Sequence, residues 1–338
     1  MGAAELLLAH PEAEPAALVD IENVGTPISG LYPHLLGHLD MPIVAPDDDS
    51  AQQPVDVTFM ATPDGVGMGL ADVELKNGAK VVDYSGDFRF NSADSYAEYA
   101  SRLGRPKEHK AAHLLEESVY GLPELHREQL SKETRIVGNP GCFAVSCILG
   151  LAPAIRESLI NTDSVICDCK TGVSGAGKKP SPAFHYPARY DAMNAYKLAG
   201  HQHVCEIERE LGLLAGAALA VTFTAQVVPV CRGIMSTLYG SLSRTLSQQQ
   251  AVDAYAAAYE DSPFVRVLDA SAAVASNSVR GTNYCFLVVS VDERTDRLRV
   301  VSYIDNLVKG QAGSAVQNMN LLFGLDEIAG LDRPAMYP

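Results

Sequence analysis

The chain has no excess of positive charge, and this narrows the range of its partners. Its 338 residues include 26 Lys and Arg against 41 Asp and Glu, which gives a formal net charge of −15. Proteins that bind nucleic acid gain affinity mainly from Lys and Arg on phosphates, and anionic membrane surfaces attract the same side chains. We therefore expect neither nucleic acid nor a membrane surface as a partner.

Long apolar runs are also missing. Residues 213–221 form the nearest candidate, and they are too few to span a bilayer. The first basic residue is Lys76, so the beginning of the chain lacks the charged segment of a secretory signal. We expect a cytoplasmic protein.

The cysteines are odd in number and scattered, which does not fit a secreted disulfide framework. Most should be reduced and behave as small apolar residues. The seven are Cys142, Cys147, Cys167, Cys169, Cys205, Cys231 and Cys285. Cys167 and Cys169 point to one face of a predicted strand, where a structural role is favoured over a metal site.

Hydrophobic residues make up 47% of the chain, enough for two packed domains. Before Cys142, helices alternate with short apolar strands, a pattern that predicts a parallel sheet. The elements predicted here are helices at 3–10 and 66–75 and strands at 16–20, 55–60, 80–84 and 135–137.

After Cys142 long strands follow one another, which predicts a mixed or antiparallel sheet. The elements predicted here are helices at 143–159 and 312–323 and strands at 164–170, 221–228, 232–239, 284–291 and 298–304. The last helix is expected to pack on the first domain. The prediction is an α/β protein with one domain at 1–141 and 311–338 and a second at 142–310.

A Gly-Asn-Pro-Gly turn at 138–141 places Cys142 at the start of a predicted helix. Unpaired N–H groups and the positive end of the helix dipole lie there, and both favour a nucleophilic thiolate. The same N–H groups can hold the oxyanion formed when a thiolate attacks a carbonyl. Cys142 is the candidate nucleophile, with a buried structural cysteine as the alternative, whereas Cys147 is predicted to be core.

His201 and His203 precede a helix that contains Glu206. Histidine is the natural partner of a catalytic thiol because its pKa lies near working pH, and Glu206 could orient the imidazole. Zinc bound with Cys205 fits poorly, since three ligands two residues apart do not suit a tetrahedral site, so no metal is expected. Ordinary solvated histidines remain the other alternative.

Three loops carry weaker signals. The glycines at 170–179 allow close backbone approach to a ligand, although the spacing is not that of a phosphate-binding Walker loop. Arg232 begins a strand and could bind phosphate or carboxylate, or form a surface ion pair. Asn306 ends a strand before the final helix, a common place for an amide that contacts a cofactor.

Several segments together resemble the N-acetyl-γ-glutamyl-phosphate reductases of arginine biosynthesis. They occur in that family's order over nearly the whole chain, and they are specific as a set although none is so alone. The segments are 83–89 (DYSGDFR), 119–125 (VYGLPEL), 139–142 (NPGC), 172–177 (GVSGAG), 200–203 (GHQH) with Glu206, 228–233 (VPVCRG), and 305–310 (DNLVKG) with 317–320 (QNMN).

The resemblance implies a Rossmann-type domain, a second α/β domain with a mixed sheet, and a homotetramer or dimer. It implies Cys142 as the nucleophile, His201 as the acid/base group and Glu206 beside them. Substrate contacts are expected at Tyr196, His203, Arg232 and Arg89. Cofactor contacts are expected at Gly2, Ser85, Ser174, Gly175 and Asn306.

The implied reaction is reduction of N-acetyl-γ-glutamyl phosphate, a small acyl phosphate, to N-acetylglutamate 5-semialdehyde, with release of phosphate. NADPH supplies the hydride, with NAD as a possible alternative, and a thioester forms on Cys142. One rival is the related reductase of lysine biosynthesis, whose aminoadipyl phosphate is carried on an acidic protein. An enzyme that binds this acidic carrier should have a basic surface around its active site. Lys178, Lys179 and Arg189 could supply part of that surface, but the net charge of −15 disfavours this alternative.

Two further alternatives are aspartate-semialdehyde dehydrogenase, whose motif around the cysteine differs, and a non-catalytic relative without a cofactor site. The second is motivated by the chain's beginning, which matches only the tail of the family's glycine-rich turn, from Gly2 onward. The central first strand of such a domain is expected to be absent, and a misassigned start is the favoured explanation.

Two more departures concern specificity. An acid at Asp20, where a strand ends, favours the ribose hydroxyl of NAD over the phosphate of NADP. The histidine segment reads His-Val-Cys-Glu from His203, where the family commonly has Thr-Pro before Glu and Arg after the first His. This change could alter substrate contacts.

Overall fold

A four-stranded parallel sheet lies at the centre of the first part of the chain. The computed structural model describes residues 2–337. The elements of this part are α1 (Gly2–Leu7), β1 (Leu18–Val19), α2 (Ile28–Leu31), β2 (Ile43–Val44), β3 (Val57–Met60), α3 (Gly67–Lys76), β4 (Lys80–Asp83), α4 (Ala93–Arg102), β5 (Ser118–Tyr120), α5 (Pro123–His126) and β6 (Ile136–Gly138). The strand order is β3-β4-β6-β5, with every pair parallel. Val81 and Val82 are fully buried, as expected for a strand covered on both faces.

The predicted strand at 16–20 is present as β1, but it pairs with β2 in a separate two-stranded parallel sheet. Leu18 lies opposite Ile43 in this pair. Below it, Ala4, Ile28 and Leu35 form a small buried cluster of their own. The strands of the first part therefore fall into two sheets within the described residues.

A seven-stranded mixed sheet dominates the second part. Its elements are α6 (Cys142–Arg156), β7 (Ile166–Thr171), α7 (Tyr186–Arg189), β8 (Asn194–Tyr196), α8 (His203–Ala215), β9 (Thr222–Val227), β10 (Ile234–Ser241), α9 (Gln248–Ala258), β11 (Val265–Asp269), β12 (Cys285–Asp292), β13 (Arg297–Ile304) and α10 (Gly313–Phe323). The strand order is β11-β12-β13-β10-β7-β9-β8. The central pairs are antiparallel, and β7–β9 and β11–β12 are parallel.

One face of this sheet is covered and the other is not. Residues along β10 alternate between buried and half-buried, the period of a strand with one face in a core. Helix α6 lies in that core, and its residues 143–155 are all buried, so it is apolar all round. It begins at Cys142, one residue before the predicted start, and ends three residues early, before Ser158 adopts a φ of 50°.

The last helix, α10, returns to the first sheet, as the sequence predicted. Ala315 and Leu322 pack with Val82 and Val137 in one buried cluster. This contact brings the segment between β13 and α10 beside the start of α6. Within residues 2–337, no helix combines the length and the apolar character needed to cross a membrane.

Candidate active site

Cys142 is the first residue of α6, where the sequence predicted it. Gly141 precedes it as an extended N-cap residue, with φ −74° and ψ 146°. A side chain at Gly141 would not fit, because its Cβ would lie 2.4 Å from Nε2 of His203 and 2.8 Å from Oε1 of Glu206. Cys142 as a residue keeps part of its surface accessible.

The ionisation of Cys142 differs from the prediction. Burial raises the pKa of the Cys142 thiol to about 11, while the N–H of Phe143 and the guanidinium of Arg89 lower it by less. The helix start does favour the thiolate, but the loss of water around the sulfur outweighs it. The resting group is therefore a thiol, and its proton must leave during acyl transfer.

Glu206 holds the turn before Cys142. Its carboxylate accepts hydrogen bonds from the Gly141 N–H at 2.9 Å, the Tyr120 hydroxyl at 2.9 Å and Nη1 of Arg89 at 3.0 Å. The side chain is fully buried. The sequence suggested that Glu206 orients an imidazole, but these contacts direct its charge to the turn and to Arg89.

The guanidinium of Arg89 also binds the turn that precedes Cys142. Its Nε donates to the Asn139 carbonyl at 2.8 Å, and its Nη2 donates to the Tyr84 carbonyl at 2.8 Å. Burial opposes its charge, but Glu206, Tyr99, Tyr120 and Asp83 together outweigh this, so the pKa of Arg89 is raised. Because all three nitrogens bind protein groups, the geometry favours Arg89 as a support of the Cys142 turn over a direct substrate contact.

The two histidines lie next to Phe143. His201 and His203 have ring centroids 5.6 and 6.2 Å from that of Phe143, and they lie 4.8 Å from each other. Burial, with help from His203 and Lys197, lowers the pKa of His201 to about 2. Burial and then Arg89 hold the pKa of His203 well below its usual range. Both rings are therefore neutral at working pH.

The tautomer of His201 follows from its one hydrogen bond to the backbone. The N–H of His203 donates to Nδ1 of His201 at 3.2 Å. A neutral imidazole has one N–H and one acceptor nitrogen, so the proton of His201 sits on Nε2. On His203, Nδ1 has no hydrogen-bond partner among residues 2–337. Tyr196 stands at 5.6 Å from His201, ring to ring, and closes this side of the site.

A second group of predicted residues meets at the ends of β7 and β13. Arg232 pairs with Asp305, with 2.9 Å between Nε and Oδ2, and keeps 29% of its side chain exposed. Asn306 accepts the Gly233 N–H at 2.7 Å and donates to Oγ of Ser174 at 3.0 Å. Gly175 lies beside Asn306, since its Cβ would be 3.9 Å from Nδ2.

Gly2 and Ser85, the other two predicted cofactor contacts, have neighbours on other segments. Gly2 is in α1, and its Cβ would lie 3.1 Å from Cβ of Ala312. Ser85 donates to Asp83 at 2.7 Å and accepts the Asp87 N–H at 3.1 Å. Their assignment to cofactor binding stays a prediction.

The carboxyl edge of the first sheet fits a polar ligand. Three buried polar atoms there have no hydrogen-bond partner in the described part of the chain: Oγ1 of Thr62, Oδ1 of Asp83 and Oη of Tyr84. Open α/β sheets bind dinucleotides at this edge. Asp20 accepts the N–H groups of Ile21 and Glu22 at 2.7 and 3.2 Å, so its carboxylate is partly used within its own turn.

Sequence reasoning gave no role to several residues that build the site. Tyr120 binds Glu206, Asn139 donates through Nδ2 to the Gln311 carbonyl at 3.0 Å, and Asp305 holds Arg232. All three lie in segments quoted for the resemblance, which was the available signal. No cluster of three or more His, Cys, Asp or Glu within residues 2–337 could hold a metal ion.

Comparison with known proteins identifies the family to which the chain belongs. Residues 3–133 match the semialdehyde dehydrogenase NAD-binding domain, and residues 142–306 match the semialdehyde dehydrogenase dimerisation domain. An N-acetyl-γ-glutamyl-phosphate reductase from Acidithiobacillus ferrooxidans is 41% identical over 333 residues, 98% of this chain and 94% of that protein. One from Bacillus cereus is 40% identical over 332 residues, with the same coverage.

The chain belongs to the N-acetyl-γ-glutamyl-phosphate reductase family. It is an oxidoreductase of the semialdehyde dehydrogenase type. The resemblance read from the sequence is thereby confirmed, as is the α/β fold with a parallel dinucleotide-binding sheet and a second, mixed sheet.

Solved structures agree on the fold of this reductase. An aspartate semialdehyde dehydrogenase from Vibrio cholerae has a TM-score of 0.69 at 15% identity, covering 95% of this chain and 94% of that one. The enzyme from Candida albicans, solved with NADP, has a TM-score of 0.62 at 14% identity, covering 96% and 97%. At such identities the likeness concerns the fold alone.

Proposed function

We propose that the chain reduces N-acetyl-γ-glutamyl phosphate to N-acetylglutamate 5-semialdehyde, with NADPH as reductant and release of phosphate. The observation that carries this is the placement of Cys142 at a helix start with the neutral histidines His201 and His203 nearby. The names of the 40–41% identical relatives support the substrate.

The first step is acyl transfer to sulfur. Cys142 Sγ attacks the acyl carbon, a C–S bond forms, and the phosphate leaves with the electrons of the broken C–O bond. The neutral imidazole of His203 is able to accept the thiol proton, because it is uncharged at working pH and its Nδ1 has no hydrogen-bond partner in the described part of the chain. Backbone N–H groups at the start of α6 stabilise the developing oxyanion.

The second step is reduction of the thioester on Cys142. When bound, the nicotinamide supplies a hydride to the thioester carbon. His201 carries its proton on Nε2, so it is set to protonate the oxyanion, and it takes the proton back as the C–S bond breaks. The aldehyde then leaves, and the histidine that took the thiol proton in the first step returns it to the sulfur.

Arg232 is the proposed anchor for the carboxylate of the substrate. Asp305 fixes its guanidinium, and 29% of the side chain remains exposed for a ligand. Guanidinium groups bind carboxylates through paired hydrogen bonds. Among the cofactor contacts, Ser174 and Asn306 form a hydroxyl–amide pair suited to the carboxamide of a nicotinamide, while Gly175 beside them lets the ligand approach the backbone.

The test is phosphate-dependent reduction of NADP and of NAD, with N-acetylglutamate semialdehyde as substrate. Activity with NADP that needs phosphate supports the proposal. A carrier-bound aminoadipyl substrate, assayed in parallel, separates the lysine-pathway alternative: turnover with that substrate alone would contradict the proposal. Absence of turnover with every substrate would favour a non-catalytic relative.

We also propose a homodimer formed through the uncovered face of the seven-stranded sheet. Half-buried Met235, Tyr239, Val301 and Tyr303 lie on this face, and residues 142–306 match a dimerisation domain. The tetramer that the resemblance implies would add a second contact. Light scattering on the purified protein measures the state, and a monomer that is fully active would contradict the proposal.

Two further proposals concern the compartment of the protein and its domain boundary. We propose a reducing compartment such as the cytosol, because Cys142 must remain a free thiol to act. We also propose that the chain divides at Cys142, with the segment from residue 311 joined to the first domain through α10.

A further inference from the structure

A lysine and a glutamate are buried together behind the nucleophile. Nζ of Lys309 lies 2.6 Å from Oε1 of Glu124, and both side chains are fully buried. Lys309 also donates to Oε1 of Gln317 at 2.8 Å, and Gln317 donates back to Glu124 at 3.2 Å. The proposed chemistry gives these three residues no part.

Burying such a pair costs desolvation free energy that apolar side chains in the same core would not cost. Lysine and glutamate are almost never fully buried unless they are paired, and a buried ion pair is often no more stabilising than apolar side chains of similar size. What a hydrogen-bonded pair does supply is a fixed geometry between the two segments that carry it. A positional role therefore accounts for the pair better than stability alone.

The two segments come from different sheets. Glu124 lies in α5, which follows β5 of the four-stranded sheet. Lys309 lies in the π-helix Val308–Ala312, which follows β13 of the seven-stranded sheet. This turn has hydrogen bonds from the Gly310 N–H to the Asp305 carbonyl and from the Ala312 N–H to the Leu307 carbonyl, at 2.9 and 3.0 Å. Short π-helices of this kind occur frequently at functional sites.

The π-helix forms the wall against which Cys142 packs. A Cβ on Gly310 would lie 2.7 Å from Cβ of Cys142 and 3.2 Å from its Cα, so the two backbones are in direct contact. At the next residue of the same turn, the Gln311 carbonyl accepts a hydrogen bond from the side chain of Asn139. A shift of Lys309 would therefore move the surface that touches Cys142.

We propose that Lys309, held by Glu124 and Gln317, is a positioning residue for Cys142. It fixes the π-helix so that Gly310 supports the nucleophile and limits access to the sulfur. This inference rests on the proposed function, in which Cys142 carries the acyl group. It adds a buried ion pair that ties the two sheets together at the point where the chemistry occurs.

The first test replaces both charges, in Lys309→Met with Glu124→Met, so that no unpaired charge remains in the core. We expect kcat to fall about 10- to 100-fold, the scale of a small misplacement, with KM unchanged and the protein still folded. We expect iodoacetamide to alkylate Cys142 faster, as located by mass spectrometry, because the loosened wall admits reagent. Wild-type kcat and alkylation rate in the folded variant would overturn the proposal.

A second variant decides the matter if the double variant does not fold. Gly310→Ala keeps the ion pair and places a methyl group against Cys142, so kcat should fall while KM holds. A folded Gly310→Ala protein with wild-type kcat contradicts the proposal. The matched control is Arg135→Met with Glu117→Met, a surface ion pair whose side chains are 52% and 34% exposed. This variant should keep the wild-type kcat, KM and alkylation rate. Alkylation needs no substrate, so it reports on the wall even if the proposed reductase activity is absent.

Discussion

The carboxylate of Glu206 accepts the backbone N–H of Gly141 at 2.9 Å, one residue before the nucleophile. The same carboxylate neutralises Arg89, whose Nε binds the carbonyl of Asn139. A single buried anion therefore fixes both the peptide before Cys142 and the cation beside it. The position of Cys142 therefore depends on this contact as well as on the local turn.

Replacing Glu206 by Gln should destabilise the protein strongly. Gln can keep one hydrogen bond but leaves the charge of Arg89 buried without a counter-ion, a change that costs about 3–5 kcal/mol when one partner of a buried pair is lost. Urea unfolding measures it. Glu117→Gln, in the exposed pair with Arg135, is the control and should cost below about 1 kcal/mol. An equal loss of unfolding free energy in both variants would mean that the buried ion pair contributes no more than the exposed one.

Cys142→Ser should abolish turnover, whereas Cys147→Ser should not. Cys147 is fully buried inside α6, lies 3.4 Å sulfur to sulfur from Cys169, and has a pKa raised well above its usual range by burial. Steady-state rates and trapping of an acyl adduct on each variant make the comparison. A loss of activity in both, with the fold intact, would remove the case for one nucleophile.

His201→Asn should slow the chemical step by about 10²- to 10⁴-fold, the range for a lost acid/base group. Asn can occupy the space and keep a polar contact, but it cannot pass a proton to the oxyanion. Single-turnover kinetics isolate the step. His113→Asn, at an exposed position paired with Asp72, is the control. A His201 variant close to the wild-type rate would assign the proton transfer to another group.

Asp83 should make the protein less stable as pH rises. Burial, opposed by the hydroxyl of Ser85, raises the pKa of Asp83 from 3.8 to about 7. The folded protein therefore holds a proton that the unfolded chain gives up, so stability is greatest below pH 3.8 for this group and falls until pH passes about 7. The loss is about 4 kcal/mol for a shift of this size.

The test is Asp83→Asn, followed by thermal unfolding across this pH range. Asn removes the titration, so the variant should gain stability over wild type above neutral pH, and the gain should shrink as pH falls toward the ordinary pKa of an aspartate. Asp72→Asn, on the surface beside His113, should show no such trend. A gain that is constant with pH would mean that Asp83 is already ionised without penalty.

Local sequence patterns were enough to predict the order of most elements and to place Cys142 at the start of a helix. Apolar periodicity gave the long strands β7, β9, β10, β12 and β13, because burial of one face leaves a repeat that can be read locally, and a nearly continuous apolar run gave the buried helix α6. The Gly-Asn-Pro-Gly turn placed Cys142 at a helix start, since glycine and proline act on the backbone next to them. The short strand β5 was not predicted, nor was α4, which is polar on average although Tyr96 and Tyr99 line its buried face.

The surroundings of that sulfur depend on contacts that form only when the chain folds. The net pKa of Cys142 depends on how much water the folded chain excludes, and no local pattern states this. Glu206 reaches Gly141 across 65 residues, and Lys309 reaches Glu124 across 185. Contacts of this kind exist only after distant segments pack, because a buried charge selects its partner by proximity in space and not by spacing along the chain.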